Sequence, residues 1–212
     1  MRFYNDSVFV ISGPSSSGKT YFVRNLITHS SQLFKEKINH FHWFFGIVPP
    51  KPTIPKVILH KGLEDGWSDN IKPLDFVVID DLFMESAQNM ELTNAFTRLS
   101  HHRPCTLVYI TQNLFQKSKD ARTRSLNTHY LVLMKNPRDK TQISSLARQM
   151  YPGDCGFLTD AFNDLTAKNP FSYMLIDFRQ QTPEYLRVRS GIFPDEDYVV
   201  FINKVNDSVI GK

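Results

Sequence analysis

The sequence predicts an α/β fold with a mainly parallel central sheet flanked by helices, and three observations predict it. Short β-branched and aromatic runs alternate with helical patterns through most of the 212 residues. Several of these runs are apolar throughout, as strands covered on both faces are. The first run leads directly into a glycine- and serine-rich loop and then a helical pattern, the first half of a βαβ unit.

Taken in order, Ser7 to Ser12 (SVFVIS) reads as a buried strand ending at Gly13. Lys19 to Ser30 places Phe22, Val23, Leu26 and Ile27 on one helical face. Residues 38–48 suggest a strand with a bulky aromatic end, and VPPKPTIPK (48–56) carries too many prolines to be anything but a surface loop. VILHKGL (57–63) reads as an edge strand, and DFVVIDDLF (75–83) as an apolar strand ending in two acids. A helix follows over 85–100, with Leu92, Ala95, Phe96 and Leu99 on one face. CTLVYITQN (105–113) and HYLVLMK (129–135) are further strands, and 139–150 and 154–168 are helices. FSYMLIDF (171–178) and EYLRVRSG (184–191) read as a hairpin. The length suits one domain over 1–212, with the hairpin and tail from about residue 171.

Hydrophobic residues make up 41% and charged residues 22%, which argues against disorder. A net charge of +4 permits a polyanionic partner without demanding one. Cys105 and Cys155 form neither a CxxC nor a zinc pattern, as expected of a reducing, intracellular setting. No apolar run approaches the roughly 20 residues that span a bilayer, and the N-terminus has too short an apolar stretch for a signal peptide. The expectation is a soluble protein that is not exported and has no membrane partner.

The chemistry starts at ISGPSSSGKT. Gly13, Pro14, Ser15, Ser16, Ser17, Gly18, Lys19 and Thr20 fit G-x-x-x-x-G-K-[ST], the P-loop pattern. Its glycines let backbone N–H groups wrap a phosphate, its lysine reaches the β- and γ-phosphates, and its threonine hydroxyl ligates Mg²⁺. The helix that begins there turns its positive dipole end to the anion. A ligand-free Gly/Ser turn would look similar, but a chance match in such a chain has odds on the order of one in a hundred, and the flanking strand and helix supply the required context. The implied cofactors are ATP and Mg²⁺.

Asp80 and Asp81 end an apolar strand. Such a pair lies beside the phosphate loop in this architecture, with Asp80 placed to hold Mg²⁺ and its water and Asp81 to orient or deprotonate an attacking water. A helix N-cap with first-turn charge is the plainer explanation. Adjacent acids favour hydrolysis over transfer to a substrate hydroxyl. Gln112 ends another buried strand, where its amide can face the γ-phosphate and the water or simply bond a neighbouring loop. Lys117, Lys119, Arg122 and Arg124 follow within eight positions. They suit a solvated face, contact with nucleic-acid phosphates, or an arginine finger reaching a neighbouring subunit's ATP.

These segments, together with HHRPCTLVYITQNLF, RTRSLNTHYLVLMKNPRD, LARQMYP and LRVRSGIFPDE, resemble the viral genome-packaging ATPases of the FtsK–HerA superfamily over about residues 5–195. The likeness is greatest to those of Polinton/Maverick elements and adintoviruses, relatives of the packaging ATPases of large DNA viruses. The resemblance implies an ATPase that drives double-stranded DNA into a capsid, working as a homo-oligomeric ring (pentamer or hexamer) at a capsid or portal-type vertex. It places the protein in the nucleus or cytoplasm of a host cell where virions assemble, or with the virion. It makes Gln112 the sensor and maps the arginine-bearing segment onto Arg122, with Asn127 further on and Arg138 in the Asn-Pro-Arg-Asp element. Two departures stand out. Many members carry Glu where this chain has Asp81, and Arg124 stands where an apolar residue is expected, which splits the finger between Arg122 and Arg124; Arg98 and Arg103 stay open too. A P-loop kinase of the nucleoside type and a nucleotide-gated DNA/capsid adaptor with little turnover remain alternatives.

Other residues carry weaker signals. His40 and His42 share a strand face, but no Cys or acid pattern in the sequence completes a zinc set, so His40, His42, His101 and His102 are read as ordinary histidines. Trp43, Phe44 and Phe45 suit packing better than base stacking. Arg187 and Arg189 alternate on one face of a strand, facing solvent, DNA or a neighbouring subunit.

Overall fold

A computed structural model describes residues 2–51, 54–80, 82, 96, 104–114, 125–169 and 171–203. The strands β1 (Val8–Ser12), β2 (Phe41–Phe45), β3 (Val57–Lys61), β4 (Phe76–Asp80), β5 (Thr106–Thr111), β6 (Tyr130–Met134), β7 (Tyr173–Asp177), β8 (Val188–Ser190) and β9 (Val199–Phe201) form one sheet in the order β3-β2-β4-β5-β1-β6-β7-β8-β9. From β3 to β6 neighbouring strands pair in parallel; from β6 to β9 they pair antiparallel. The expected α/β class with a mainly parallel sheet, an edge strand at 57–61 and a C-terminal hairpin is therefore observed.

Period-2 alternation sends successive side chains to opposite faces. Phe9, Ile11, Phe76, Val78, Val108, Ile110 and Val132 meet Phe22, Val23, Leu26 and Ile27 of α1 (Lys19–Thr28) on one face. Val8, Val10, Val77, Ile79, Leu107, Tyr109 and Leu131 meet Ile143, Leu146 and Ala147 of α3 (Thr141–Met150) and Leu158, Ala161 and Phe162 of α4 (Cys155–Lys168) on the other. The short α2 (Ser30–Leu33) follows α1 on the first face. The result is three layers, with all five residues of β1, β6 and β7 buried. Phe96 is helical and fully buried; the rest of the helix expected over 85–100 lies outside the described residues.

The second strand of the hairpin is shorter than its sequence suggests. Pro183 leads into a 3₁₀ turn at Glu184–Leu186, Arg187 is helical in backbone, and the register with β7 runs through Val188 and Arg189 of the short β8. Arg187 and Arg189 therefore do not form an exposed strand face. Arg189 is 1% exposed and donates from Nη2 to Asp177 Oδ2 at 2.8 Å and from Nη1 to the Leu186 carbonyl at 2.9 Å. Arg187 donates to Glu184 and to the carbonyls of Asp177, Arg179 and Thr182, holding the turn together. A charge placed on the inward-facing side of a strand must be paired to be buried, and Asp177, on the neighbouring strand, supplies the partner.

Candidate nucleotide site

Parallel strands place their C-terminal ends together, and loops that leave that edge form the cleft of such sheets. β1 is central, between β5 and β6, so the loop 13–18 emerges where it meets the ends of β4, β5 and β6. Only glycine fits at position 13: a Cβ there would lie 2.6 Å from Met134 Cβ and 2.7 Å from Ser17 Oγ. The Gly13 amide donates to the Thr111 carbonyl at 3.2 Å, tying the loop to the end of β5. Gly18 adopts φ +98° and Ser16 φ +62°; the first suits glycine, and the second is a left-handed conformation that a serine tolerates at some cost.

Lys19 opens α1, and its Nζ donates to the carbonyls of Gly13 and Pro14, both at 2.7 Å. The ammonium is thereby fixed beside the loop it follows. Lys19, Thr20, Ser15, Ser16, Asp80, Gln112 and Asn113 line one cleft of about 790 Å³, closed on another side by Val48, Pro49, Pro50 and Lys51. Asp80 ends β4 on the α1 side of the sheet. The indole N–H of Trp43, a fully buried side chain on neighbouring β2, donates to Asp80 Oδ2 at 3.2 Å. Beyond β5, Leu114 N–H donates to Gln142 Oε1 on α3, whose amide donates to Asp139. The segment after β5 is so joined to the Asn-Pro-Arg-Asp element, within which Asn136 Oδ1 accepts from the amides of Arg138 and Asp139.

The fold brings Gly13, Pro14, Ser15, Ser16, Ser17, Gly18, Lys19, Thr20, Asp80 and Gln112 to one edge of the sheet. Asp81, Arg122 and Arg124 lie outside the described residues, as do Arg98 and Arg103. A donor set of one hydroxyl and one carboxylate beside an ammonium and a glycine-walled loop suits Mg²⁺ and a triphosphate. Trp43 is what sequence reasoning missed: it was read as packing, and its packing is observed, but its N–H also orients Asp80. No local signal marks that contact, because the two residues are 37 positions apart and meet through the β2–β4 register.

A second cleft of about 630 Å³ adjoins the first at Ser16, Lys19 and Thr20, and is lined further by Gly18, Tyr21, Asn169, Phe171, Tyr173, Phe193 and Glu196. Phe171 is 63% exposed, and its ring edge would lie 3.8 Å from a Cβ on Gly18. Tyr173 donates its hydroxyl to Glu196, and burial together with that carboxylate pushes the phenol pKa well above its usual value.

No protein-family model matches the chain, and no curated protein matches it in sequence. Solved structures do. The DNA-packaging ATPase of Sulfolobus turreted icosahedral virus superposes with a TM-score of 0.53 at 11% identity, covering 84% of this chain and 95% of that one. The fold is that of a P-loop NTPase. The genome-packaging NTPase of Sulfolobus turreted icosahedral virus 2 is similar too, in complex with sulfate (TM-score 0.53, 12% identity) and with ATP-gammaS (TM-score 0.51, 10% identity), each covering 84% of this chain and 95% of that one. At these identities the likeness is one of fold. Among the described residues no helix is long and apolar enough to cross a membrane.

Proposed function

We propose that this P-loop NTPase domain, spanning 1–212, is an ATP-driven motor that moves double-stranded DNA into a viral-type capsid. The observation that carries the proposal is the convergence of Lys19, Thr20, Asp80 and Gln112 on one cleft at the sheet edge. The superposable packaging enzymes and the resemblance over the ITQNLF and KNPRD segments support the DNA-packaging part.

In this reading the loop amides of 13–18 and the Lys19 ammonium hold the β- and γ-phosphates. Thr20 and Asp80 would hold Mg²⁺, which neutralises phosphate charge as it builds in the transition state. Trp43 keeps the Asp80 carboxylate in one orientation. Gln112 orients the water that attacks the γ-phosphorus in line with the departing ADP, and Asp81 takes its proton. The base leaves the phosphate loop toward the second cleft, where Phe171 offers a stacking face and Asn169 a hydrogen-bonding edge. Arg122 or Arg124 completes the site of a neighbouring subunit in a pentameric or hexameric ring, which docks at a capsid or portal-type vertex. DNA contacts made through the backbone phosphates are sequence-independent and weaken with salt.

The test is ATP turnover with and without duplex DNA at low salt. Turnover stimulated by DNA and abolished by Lys19→Ala is the expected result. Unchanged turnover in Lys19→Ala, or indifference of the assembled protein to DNA, overturns the motor reading; binding without turnover in every assembly state would make the chain an adaptor.

A further inference from the structure

On the face of the sheet opposite α1, at the N-terminal ends of β2 and β4, three metal-ligating groups converge. His40 Nδ1 lies 2.9 Å from Asp75 Oδ1, and His42 Nε2 lies 3.5 Å from Asp75 Oδ2. One donor atom from each of the three residues falls within 4.8 Å of the others. The sequence reading found no acid to complete a set with the two histidines. The acid is Asp75, which the register delivers: Phe41 pairs with Phe76, so the residues just before them are neighbours. We propose that His40, His42 and Asp75 form a binding site for a transition-metal dication of the Zn²⁺ class, separate from the nucleotide cleft.

Four features support it. The donor set, two imidazoles and one carboxylate, is that of zinc-type sites and not of Mg²⁺, which prefers oxygen ligands and retained water. The N···O separations of 2.9 and 3.5 Å are near the roughly 3.3 Å edge of a tetrahedron with bonds of about 2.0–2.1 Å. The His40 side chain is 52% exposed and has room to adjust around an ion, whereas Asp75 is 1% exposed. The Asp75 carboxylate is held in place by the Lys72 amide, which donates to Oδ2 at 2.8 Å.

The outer contacts are those a ligating histidine uses. His42 Nδ1 faces His60 Nε2 of β3 at 3.1 Å, leaving Nε2 toward Asp75. The His60 ring is stacked on Phe44 at a centroid distance of 4.4 Å and on His42 at 5.3 Å, which fixes the plane of the His42 ring. Such a partner on the second nitrogen sets the tautomer and orientation of a metal-bound imidazole. A carboxylate and two neutral imidazoles carry one negative charge, which a dication offsets. Three protein ligands, one of them at the surface, leave a coordination position for water. Bound metal would join β2 to β4 directly and hold β3 through His60, stiffening the sheet edge beneath the proline loop.

The experiment uses the full chain without a polyhistidine tag, in the presence of excess Mg²⁺, titrated with Zn²⁺ by calorimetry and with Co²⁺ by visible absorption. The expected result is one saturable Zn²⁺ per chain, a Co²⁺ spectrum bleached by Zn²⁺, and a melting temperature that rises with Zn²⁺. His40→Ala, at an exposed position, and His42→Gln should each weaken Zn²⁺ binding at least tenfold while circular dichroism and ATP binding stay as in the wild type. Absence of saturable Zn²⁺ binding by the wild-type chain overturns the proposal. So does binding of equal strength in His40→Ala, which would place the ion elsewhere.

Discussion

Lys19, just after the phosphate loop, and Arg189, in the middle of β8, are both cations that donate to backbone carbonyls, yet they serve opposite ends. The Lys19 ammonium is half-buried, bonds the carbonyls of Gly13 and Pro14, and borders an open cleft. Arg189 is sealed at 1% exposure between the Asp177 carboxylate and the Leu186 carbonyl. On the parallel half of the sheet, strand ends face a common cleft and polar side chains are oriented toward something that can enter it. On the antiparallel half, the chain turns back on itself, and polar side chains are consumed in closing the turn. Strand direction, more than residue type, separates a binding cation from a structural one here.

The comparison breaks most sharply at the buried pair. Arg189→Met strands the Asp177 carboxylate in the core and should destabilise the fold by about 3–5 kcal/mol, whereas the double variant Asp177→Leu/Arg189→Met should recover most of that loss. Urea denaturation of the three proteins checks it; a double variant no more stable than the single one would mean that the pair does more than neutralise itself. At the other end, Lys19→Ala should leave the denaturation midpoint nearly unchanged and lower ATP turnover by on the order of 10²–10³-fold. Each substitution should thus move the readout that the other spares.

Gly13→Ala tests whether the loop has any slack. Its Cβ would meet Met134 and Ser17, and overpacking of this kind costs about 1–3 kcal/mol, so weakened nucleotide binding with a modest loss of stability is expected from fluorescent-nucleotide titration and thermal melts. Trp43→Phe removes the N–H that Asp80 accepts and part of a fully buried ring. A hydrogen bond to a charged group contributes about 1.5–3 kcal/mol and a core cavity adds to the loss, so the melting temperature should fall, and turnover by the folded protein should drop roughly tenfold or more at saturating ATP. The smallest effect belongs to the Arg187–Glu184 pair, partly exposed and three residues apart. Glu184→Gln should alter stability by about 1 kcal/mol or less, measured in the same urea series.

What was legible in the sequence is what local pattern carries. Lys19 to Thr20 and the glycines before them announce a phosphate loop because its geometry is made by consecutive residues. The strands β1, β4, β5 and β6 are apolar through their interiors, and α1 repeats its apolar residues at helical spacing, so their type and burial followed directly. Contacts that depend on register were not legible. Trp43 meets Asp80, Asp75 meets His40 and His42, and Asp177 meets Arg189 only because particular strands lie side by side in a particular alignment. Arg189 shows the same limit: alternation within one strand assigns a face, but whether that face is covered is decided by the neighbouring strands and the layer packed on them, here on the α1 side of the sheet.

The strand order has a consequence for how the molecule comes into being. β1 is synthesised well before its two partners, β5 and β6, which begin at Thr106 and Tyr130. Loops that long make pairing slow, because chain entropy is lost before native contacts compensate it. During translation Val8–Ser12 must wait, unpaired and apolar, until Thr106–Thr111 has left the ribosome. The phosphate loop, whose first amide is fastened to Thr111, cannot take shape sooner. A nascent chain stalled before β5 would therefore present an aggregation-prone segment and an unformed phosphate loop.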